Sequence, residues 1–431
     1  MMNRTWLILL GDTISFLIAF ILLIFIRFSP ESYLSAIYMH ALPFTVLYIF
    51  WVLIFYIFGL YDLVTIKPTI PYLRRWIVAL GASFVVGLLL FYFVQIFGIS
   101  PKMNLFIQVA LFGLFSFFFR RTIYTLFARG FTEPVILIGN SSYLTELENT
   151  IRTNPQMGLS MLNHFKTINE LKLKGEDTKN LIIILDKMTD TSDESILELY
   201  KQGVTIIDTA KAYERYLFKI PVEYIDMSFV TENINIKRDI LYTSIIFVTD
   251  RIFAILILIL TSPFVLVSMI LIYMNDKGGV LYTQNRVGLN GKVFKLYKLR
   301  SMTMNAERDG AVWATGASDP RVTRVGKVIR KLHIDEIPQM INILKGDLSL
   351  VGPRPERPEF VTPLEGTIPH YNLRHIIRPG FTGWAQIKYR YANTVEDSKE
   401  KFEYDLYYIK NRNIFIDFGI VLRTIQIIFT H

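Results

Sequence analysis

"IFAILILILTSPFVLVSMILIYM", residues 252–274, runs for 23 residues without a charge. As a helix it would measure roughly 35 Å, enough to cross a bilayer core. Two features argue against a crossing. Both flanks are basic, with Lys237, Arg238 and Arg251 before it and Lys277, Arg286, Lys292 and Lys295 after it, so loop charge sets no direction of passage. Ser262-Pro263 also stands in the middle, where proline removes a helical hydrogen bond and bends the axis. A segment that dips into the bilayer and returns tolerates such a break if protein or serine hydroxyls satisfy the freed backbone groups. The reading is a re-entrant helix over about 247–275, broken at Ser262 and Pro263. It keeps everything downstream on the side from which the helix entered.

Upstream lie four more apolar stretches, 6–26, 41–60, 76–99 and 103–119, each near the ~20 residues of a spanning helix. The first is too long for a signal-peptide core, and no small-residue cleavage site follows it, so it reads as a retained anchor. Arg4, then Lys67, Arg74 and Arg75, then Arg120, Arg121 and Arg129 occupy alternate ends, whereas the other loops hold Arg27 with Glu31, and Lys102. That asymmetry places both ends of the bundle in the cytoplasm. Asp12 sits near the cytoplasmic end of the first span and is expected to reach the interface.

Composition agrees. Of 431 residues, 52% are hydrophobic, with 33 Phe and 23 Tyr, above the usual globular fraction. A net charge of +9 favours an anionic membrane surface and phosphate-bearing substrates; with this hydrophobicity, nucleic acid is not an expected partner. The absence of Cys excludes disulfides, thiol catalysis and cysteine metal sites.

Between Pro134 and Tyr224 the pattern changes. "VILIG" (135–139), "LIIIL" (181–185) and "VTIID" (204–208) read as buried parallel strands, with helices over 142–151 and 193–203 between them. The first strand ends in "GNSSYL", which keeps only Gly139 of a dinucleotide G-x-G-x-x-G. An accessory domain without cofactor is the expectation.

The chemistry gathers in the last third. "LHIDEIPQM" (332–340) sets Asp335 beside Glu336, two residues before Pro338. Proline is tolerated in a first turn, so a helix should begin close to Asp335, where its dipole favours ionised carboxylates. Ile337, Met340, Ile341 and Leu344 form the apolar face of that helix, Asp335, Gln339 and Asn342 the other, and Gly346 can end it. Such a pair suits a metal ligand and an unprotonated nucleophile. Lys295, Lys298 and Arg300 lie in "FKLYKLRSM", Arg330 precedes Asp335 by five residues, and Arg354 is locked between Pro353 and Pro355. Cations converging on two acids suggest a phosphate site carrying Mg²⁺, which takes one or two carboxylates plus substrate phosphates. Arg321 and Lys345 read as solvated surface. The six His show no ligand spacing, and the apolar run 414–429 fits a helix lying on the membrane surface.

"KLRSM", "RKLHIDEIPQMINILKGDLSLVGPRPERPEF", "RPGFTGWAQI" and "YDLYYIKN" together resemble the successive motifs of the bacterial sugar transferases, the polyprenyl-phosphate hexose-1-phosphate transferases that start surface-polysaccharide assembly. The likeness covers roughly residues 240–431 and includes the Ser262-Pro263 break; the upstream regions resemble the long form of that family. It implies Asp335 as nucleophile on a UDP-sugar and Glu336 as Mg²⁺ holder. Arg354 and Arg330 would bind phosphates, with Lys298 and Arg300 close by. It also implies UMP release, and transfer from an aspartyl intermediate to the lipid phosphate, undecaprenyl phosphate in most bacteria. Gln339 and Asp405 are placed with the substrate-binding residues, Asp405 alternatively pairing with a cation. His333 departs from the residue the family usually has there and is read as peripheral.

The expected architecture is a membrane protein of α plus α/β class. A four-helix transmembrane bundle occupies 1–130, a Rossmann-like accessory domain 131–235, and a mainly helical catalytic domain with the re-entrant helix 236–431. The catalytic domain faces the cytoplasm from the inner membrane, and a homodimer is compatible with this. UDP-glucose or UDP-galactose is the family-level donor, with N-acetylated hexoses as further options. The competing readings are a membrane glycosyltransferase that releases UDP, and a scaffold of a polysaccharide export complex.

Overall fold

Apolar length decides the first four elements: α1 (Met2–Arg27), α2 (Tyr33–Ile57), α3 (Ile70–Phe93) and α4 (Lys102–Arg129). The structure, a computed structural model, describes residues 2–62, 66–94, 102–129, 132–171, 180–187, 193–234, 240–304, 306, 319–389 and 394–429. Ile99, Lys237, Arg238 and the side chains of Arg4 and Arg129 fall outside them. Ile8, Phe16, Trp51, Ala79 and Phe112 bring all four helices into one apolar core. At Gly11 a Cβ would meet the Phe119 ring at 1.6 Å, so only glycine lets α1 and α4 approach there.

One turn of sequence reading is overturned beside that contact. Asp12 is wholly buried instead of reaching the interface. Its carboxylate accepts from Ser116 Oγ at 2.8 Å and Arg120 Nε at 3.1 Å, and pairs with Arg120 Nη2. Arg120 Nη1 donates to the Leu60 carbonyl at 2.6 Å and to the Tyr72 hydroxyl at 3.3 Å. Arg120 is therefore part of α4 and its core, not a loop charge. Hydropathy ends the span at Phe119 because it cannot register a neutralising partner on another helix; paired and hydrogen-bonded, the charges tolerate burial.

β1 (Glu133–Ile138), α5 (Ser142–Thr153), β2 (Leu159–Phe165), β3 (Ile182–Leu185), α6 (Asp193–Lys201), β4 (Thr205–Asp208) and α7 (Thr209–Tyr216) follow. The strands pair in parallel in the order β2-β1-β3-β4. Strand β2 was not foreseen: it is an edge strand whose "LSMLNHF" carries too many polar residues for a buried run.

The chain divides into two compact units, Met1–Tyr216 and Leu217–His431. Residues 217–234, grouped in sequence with the middle region, belong to the second unit and include α8 (Met227–Asn233). There Ile220, Val222 and Ile225 pack with Phe402 and Leu406.

The opening stretch lies in α9 (Ile240–Asp276), one helix of 37 residues that continues through Ser262-Pro263, which corrects the expected break at those two residues. Pro263 has no N–H for the Ile259 carbonyl four residues back; Ser262 Oγ donates to that carbonyl at 2.8 Å. Thr261 Oγ1 likewise bonds the Ile257 carbonyl at 2.6 Å. Among the described residues α9 is the fifth helix long and apolar enough to cross a membrane. One side of it is covered along its length by its own unit. Ser349 Oγ donates to Asp250 at 2.6 Å, Ala254 packs with Leu296, Met340 and Leu348, Ile272 packs with Leu299 and Ile329, and Arg300 pairs with Asp276. Phe253, Leu256, Leu260, Phe264 and Leu271 remain exposed on it.

The remaining elements are the antiparallel hairpin of β5 (Leu281–Val287) and β6 (Val293–Leu299), then α10 (Arg324–Lys331), α11 (Gln339–Lys345), β7 (Ser349–Val351) and α12 (Pro358–Thr367). β8 (Gly380–Thr382) pairs in parallel with β7, and α13 (Trp384–Lys388), α14 (Val395–Asn411) and α15 (Ile414–Phe429) complete the chain. α15 leaves Phe415 and Phe418 exposed, while its Asp417 accepts from the hydroxyls of Tyr242 and Tyr408, both at 2.7 Å.

Candidate active site

Three segments converge on the two acids. The end of β6 supplies Lys298 and, just beyond, Arg300. α10 supplies Arg330: Thr323 Oγ1 caps this helix by accepting from Gly326 N at 2.8 Å. A Cβ on Gly326 would meet the Ser301 carbonyl at 1.9 Å, so glycine lets α10 press against the chain leaving β6. Arg330 Nε then reaches Ser301 Oγ at 2.7 Å. The loop after β7 supplies Arg354.

The acids themselves lie in a 3-10 turn, Ile334–Glu336, entered through His333 at φ 53°. α11 begins only at Gln339, with Pro338 as its cap. This corrects the expectation that both acids occupy the first turn of an α-helix. Proline does mark the helix start, but the left-handed His333 lets the chain make a separate turn first. With seven residues in α11, its dipole is not what keeps Glu336 charged. Cations do that. Lys298 Nζ and Arg354 Nη2 both donate to Glu336 Oε1 at 2.8 Å. Burial alone would raise the Glu336 pKa; Arg354 and Lys298 outweigh it and hold the carboxyl well below its usual range. Asp335 goes the other way. Burial, then the charge of Glu336, push it up to about 6, against the pull of Lys298, Arg330 and His333. At pH 7 it is still ~90% ionised.

Asp335, Glu336, Lys298, Arg300, Arg330 and Arg354 line one cavity of about 580 Å³ in the second unit. The same walls hold residues that the sequence did not single out: Arg286 and Gln284 from β5, Glu356 and Arg357 beyond Arg354, Phe360 from α12 and Lys401 from α14. A scan for basic residues next to the Pro-Arg-Pro stretch would have found Arg357; strand and helix residues far along the chain gave no local signal. Arg321 also lines the cavity, bound to Asp319 at 2.7 Å, and is not a solvated surface charge. His333 lines it too, so it is not peripheral.

Two nominated residues stand elsewhere. Asp405, 1% exposed, does not line the cavity; it accepts from Arg374 Nη2 at 3.0 Å, the cation-pairing alternative. Gln339 is buried and does not line the cavity, and among the described residues its Nε2 has no hydrogen-bond partner. Asn342, on the supposed polar face, is a buried brace: it accepts from Tyr297 N at 3.1 Å and donates to the Lys295 carbonyl at 2.7 Å. Lys345 donates to the Tyr297 hydroxyl at 2.7 Å.

The donor set fits Mg²⁺ by chemistry, since adjacent carboxylates open on a cavity rich in basic side chains. Among the described residues no group of three or more His, Asp or Glu is placed to hold a metal, so any such ion would need oxygens from the substrate.

Residues 241–431 match the family described as bacterial sugar transferase. The chain is 50% identical over 177 residues to the UDP-N-acetylgalactosamine-undecaprenyl-phosphate N-acetylgalactosaminephosphotransferase of Aeromonas hydrophila, covering 41% of this chain and 42% of that one. It is 39% identical over 176 residues to the UDP-glucose:undecaprenyl-phosphate glucose-1-phosphate transferase of Escherichia coli (strain K12), covering 40% and 38%. An uncharacterised sugar transferase of Bacillus subtilis (strain 168) matches at 40% over 177 residues, covering 40% of this chain and 81% of its own length. The match thus spans about two fifths of the first two relatives.

Proposed function

Because the chain belongs to the bacterial sugar transferase family, we propose that it transfers a sugar 1-phosphate from a UDP-sugar to undecaprenyl phosphate. The observation that carries this reading is the cavity in which Asp335 stands beside a Glu336 held by Lys298 and Arg354, with Arg300 and Arg330 in the same walls. Phosphoryl transfer needs positioning and charge neutralisation above all, and this cavity offers both. An Asp335 oxygen attacks the β-phosphorus; the new O–P bond replaces the bond to the bridging oxygen, which leaves with UMP. An oxygen of the lipid phosphate then attacks the same phosphorus, the Asp335–phosphorus bond breaks, and the carboxylate is restored. Lys298, Arg330 and Arg354 carry the phosphate charge through both steps. Glu336, with substrate oxygens, would hold Mg²⁺, which neutralises further charge on the phosphates when bound.

The relative acting on an N-acetylgalactosamine donor matches at 50%, the glucose-donor relative at 39%. We therefore favour an N-acetylated hexose over glucose or galactose. The product would prime a surface polysaccharide such as a capsule, exopolysaccharide or O-antigen.

The catalytic unit is proposed to face the cytoplasm from the inner membrane, as Lys67, Arg74, Arg75 and Arg121 suggest. Re-entry of α9 in place of a full crossing is part of the same proposal: its own unit touches one side of it from Asp250 to Asp276, while Phe253, Leu256, Leu260, Phe264 and Leu271 are left to face lipid. The deciding experiment incubates the membrane-bound protein with undecaprenyl phosphate and a panel of UDP-sugars. UMP with a lipid diphospho-sugar is expected; UDP release would replace the proposal with a glycosyltransferase.

A further inference from the structure

The stretch that carries Arg354, "GPRPE" (352–356), is neither helix nor strand beyond Val351. Pro353 and Pro355 remove two of its own donors. Its backbone is instead held from outside, through four successive carbonyls. Gly380 N donates to the Pro353 carbonyl at 2.9 Å, Arg374 Nη2 to that of Arg354 at 3.0 Å, Arg286 Nη1 to that of Pro355 at 2.9 Å, and Val287 N to that of Glu356 at 2.9 Å. Two of these donors are backbone groups on β8 and β5; the other two are guanidinium groups. Arg286 borders the cavity, whereas Arg374 does not.

Arg374 is 5% exposed and uses its fork on three partners. Nη2 is shared between the Arg354 carbonyl and Asp405 Oδ2, both at 3.0 Å, and Nη1 bonds the Tyr371 hydroxyl. Asp405, on α14, balances its charge, so the buried cation does not compete with Arg354 for an anion. A planar fork can hold such divergent acceptors at once; a lysine ammonium, a point charge on a flexible stem, cannot keep them in one plane.

We infer that Arg374, braced by Asp405, is a positioning residue that sets the place of Arg354 against Glu336 without touching substrate. The inference rests on the phosphate-binding reading of Arg354. A residue acting only through another should lose its effect when that other is gone.

The test is a double-mutant cycle in the full-length membrane protein, with the UDP-sugar that gives the highest rate in the panel and undecaprenyl phosphate as acceptor. Arg374→Lys is expected to lower kcat/KM roughly 10–100-fold, the range seen for supporting residues behind functional ligands. In an Arg354→Ala background the same substitution should change kcat/KM by less than about threefold. Asp405→Asn should lie between parent and Arg374→Lys. Thermal unfolding of each variant checks that the fold persists; a general loss of fold would add to the Arg354→Ala effect instead of vanishing in it. Parent-like rates for Arg374→Lys, or losses that multiply in the double variant, would overturn the inference. A silent Arg354→Ala would remove the phosphate reading and the inference with it. The two failures differ in which single substitution is silent.

Discussion

Two carboxylates, Asp12 buried and Glu336 partly so, are each bonded to arginine in different parts of this protein and answer to different needs. Asp12 meets Arg120 inside the first unit, where the arginine, 2% exposed, spends its donors on Asp12, Ser116, Leu60 and Tyr72. Glu336 meets Arg354 and Lys298 at the wall of a cavity, and the Arg354 side chain is 40% exposed. The first arrangement is complete without a ligand. In the second, the cations stand where an incoming phosphate can bind them as well. What separates the two pairs is the accessibility of the cation, closed off at Arg120 and open at Arg354.

The contrast is sharpest at the residue beside Glu336. Asp335→Asn should lower transfer by roughly 10³-fold or more, since an amide cannot serve as the nucleophile, while the melting temperature stays level or rises as a buried charge beside Glu336 disappears. Rates and unfolding of the purified protein measure both, and turnover near the parent level would exclude the nucleophile assignment. Arg120→Ala should do the reverse. Leaving Asp12 uncompensated costs about 3–5 kcal/mol of stability, seen in denaturant unfolding of the full chain in detergent, with transfer per folded molecule unchanged. Loss of transfer without loss of stability would break the comparison.

A smaller effect is expected from pH. With Asp335 raised to about 6 by burial and by Glu336, the proposed nucleophile takes a proton as pH falls through that value. The kcat/KM profile should then drop about tenfold per unit below it. Glu336→Gln removes one cause of the raised value, so residual activity in that variant should show its acid limb at lower pH. The smallest effect belongs to α9. Ser262→Ala leaves the Ile259 carbonyl without its donor and should cost about 1 kcal/mol, read in the same unfolding assay.

Which parts of this were legible in sequence follows from the range of the forces involved. The long helices were, because composition over twenty residues carries them. β1 and β3 were, as apolar runs, and β4 was through its Ile206–Ile207 pair, although it is an edge strand and not a buried one; the more polar edge strand β2 was not. Asp335, Glu336, Lys298, Arg300, Arg330 and Arg354 were nominated, and the fold brings them to one cavity. Their local geometry was misjudged, because His333 takes a left-handed conformation that no periodicity announces. Asp12–Arg120 and Asp405–Arg374 are separated by 108 and 31 residues. A pairing at that distance belongs to the fold, and leaves no trace in the neighbouring sequence.

Where this chain can be shortened follows from α9. Ala254 and Ile272 belong to the same apolar clusters as Leu296, Met340, Leu348, Leu299 and Ile329, so one stripe of the helix is part of its unit's core. Trimming it away for a water-soluble fragment would expose that interior. A cut just before Ile240 would also strip Ile220, Val222 and Ile225 from Phe402 and Leu406. The division between the two compact units falls at Leu217, so a piece cut there keeps α9 together with the residues it packs against.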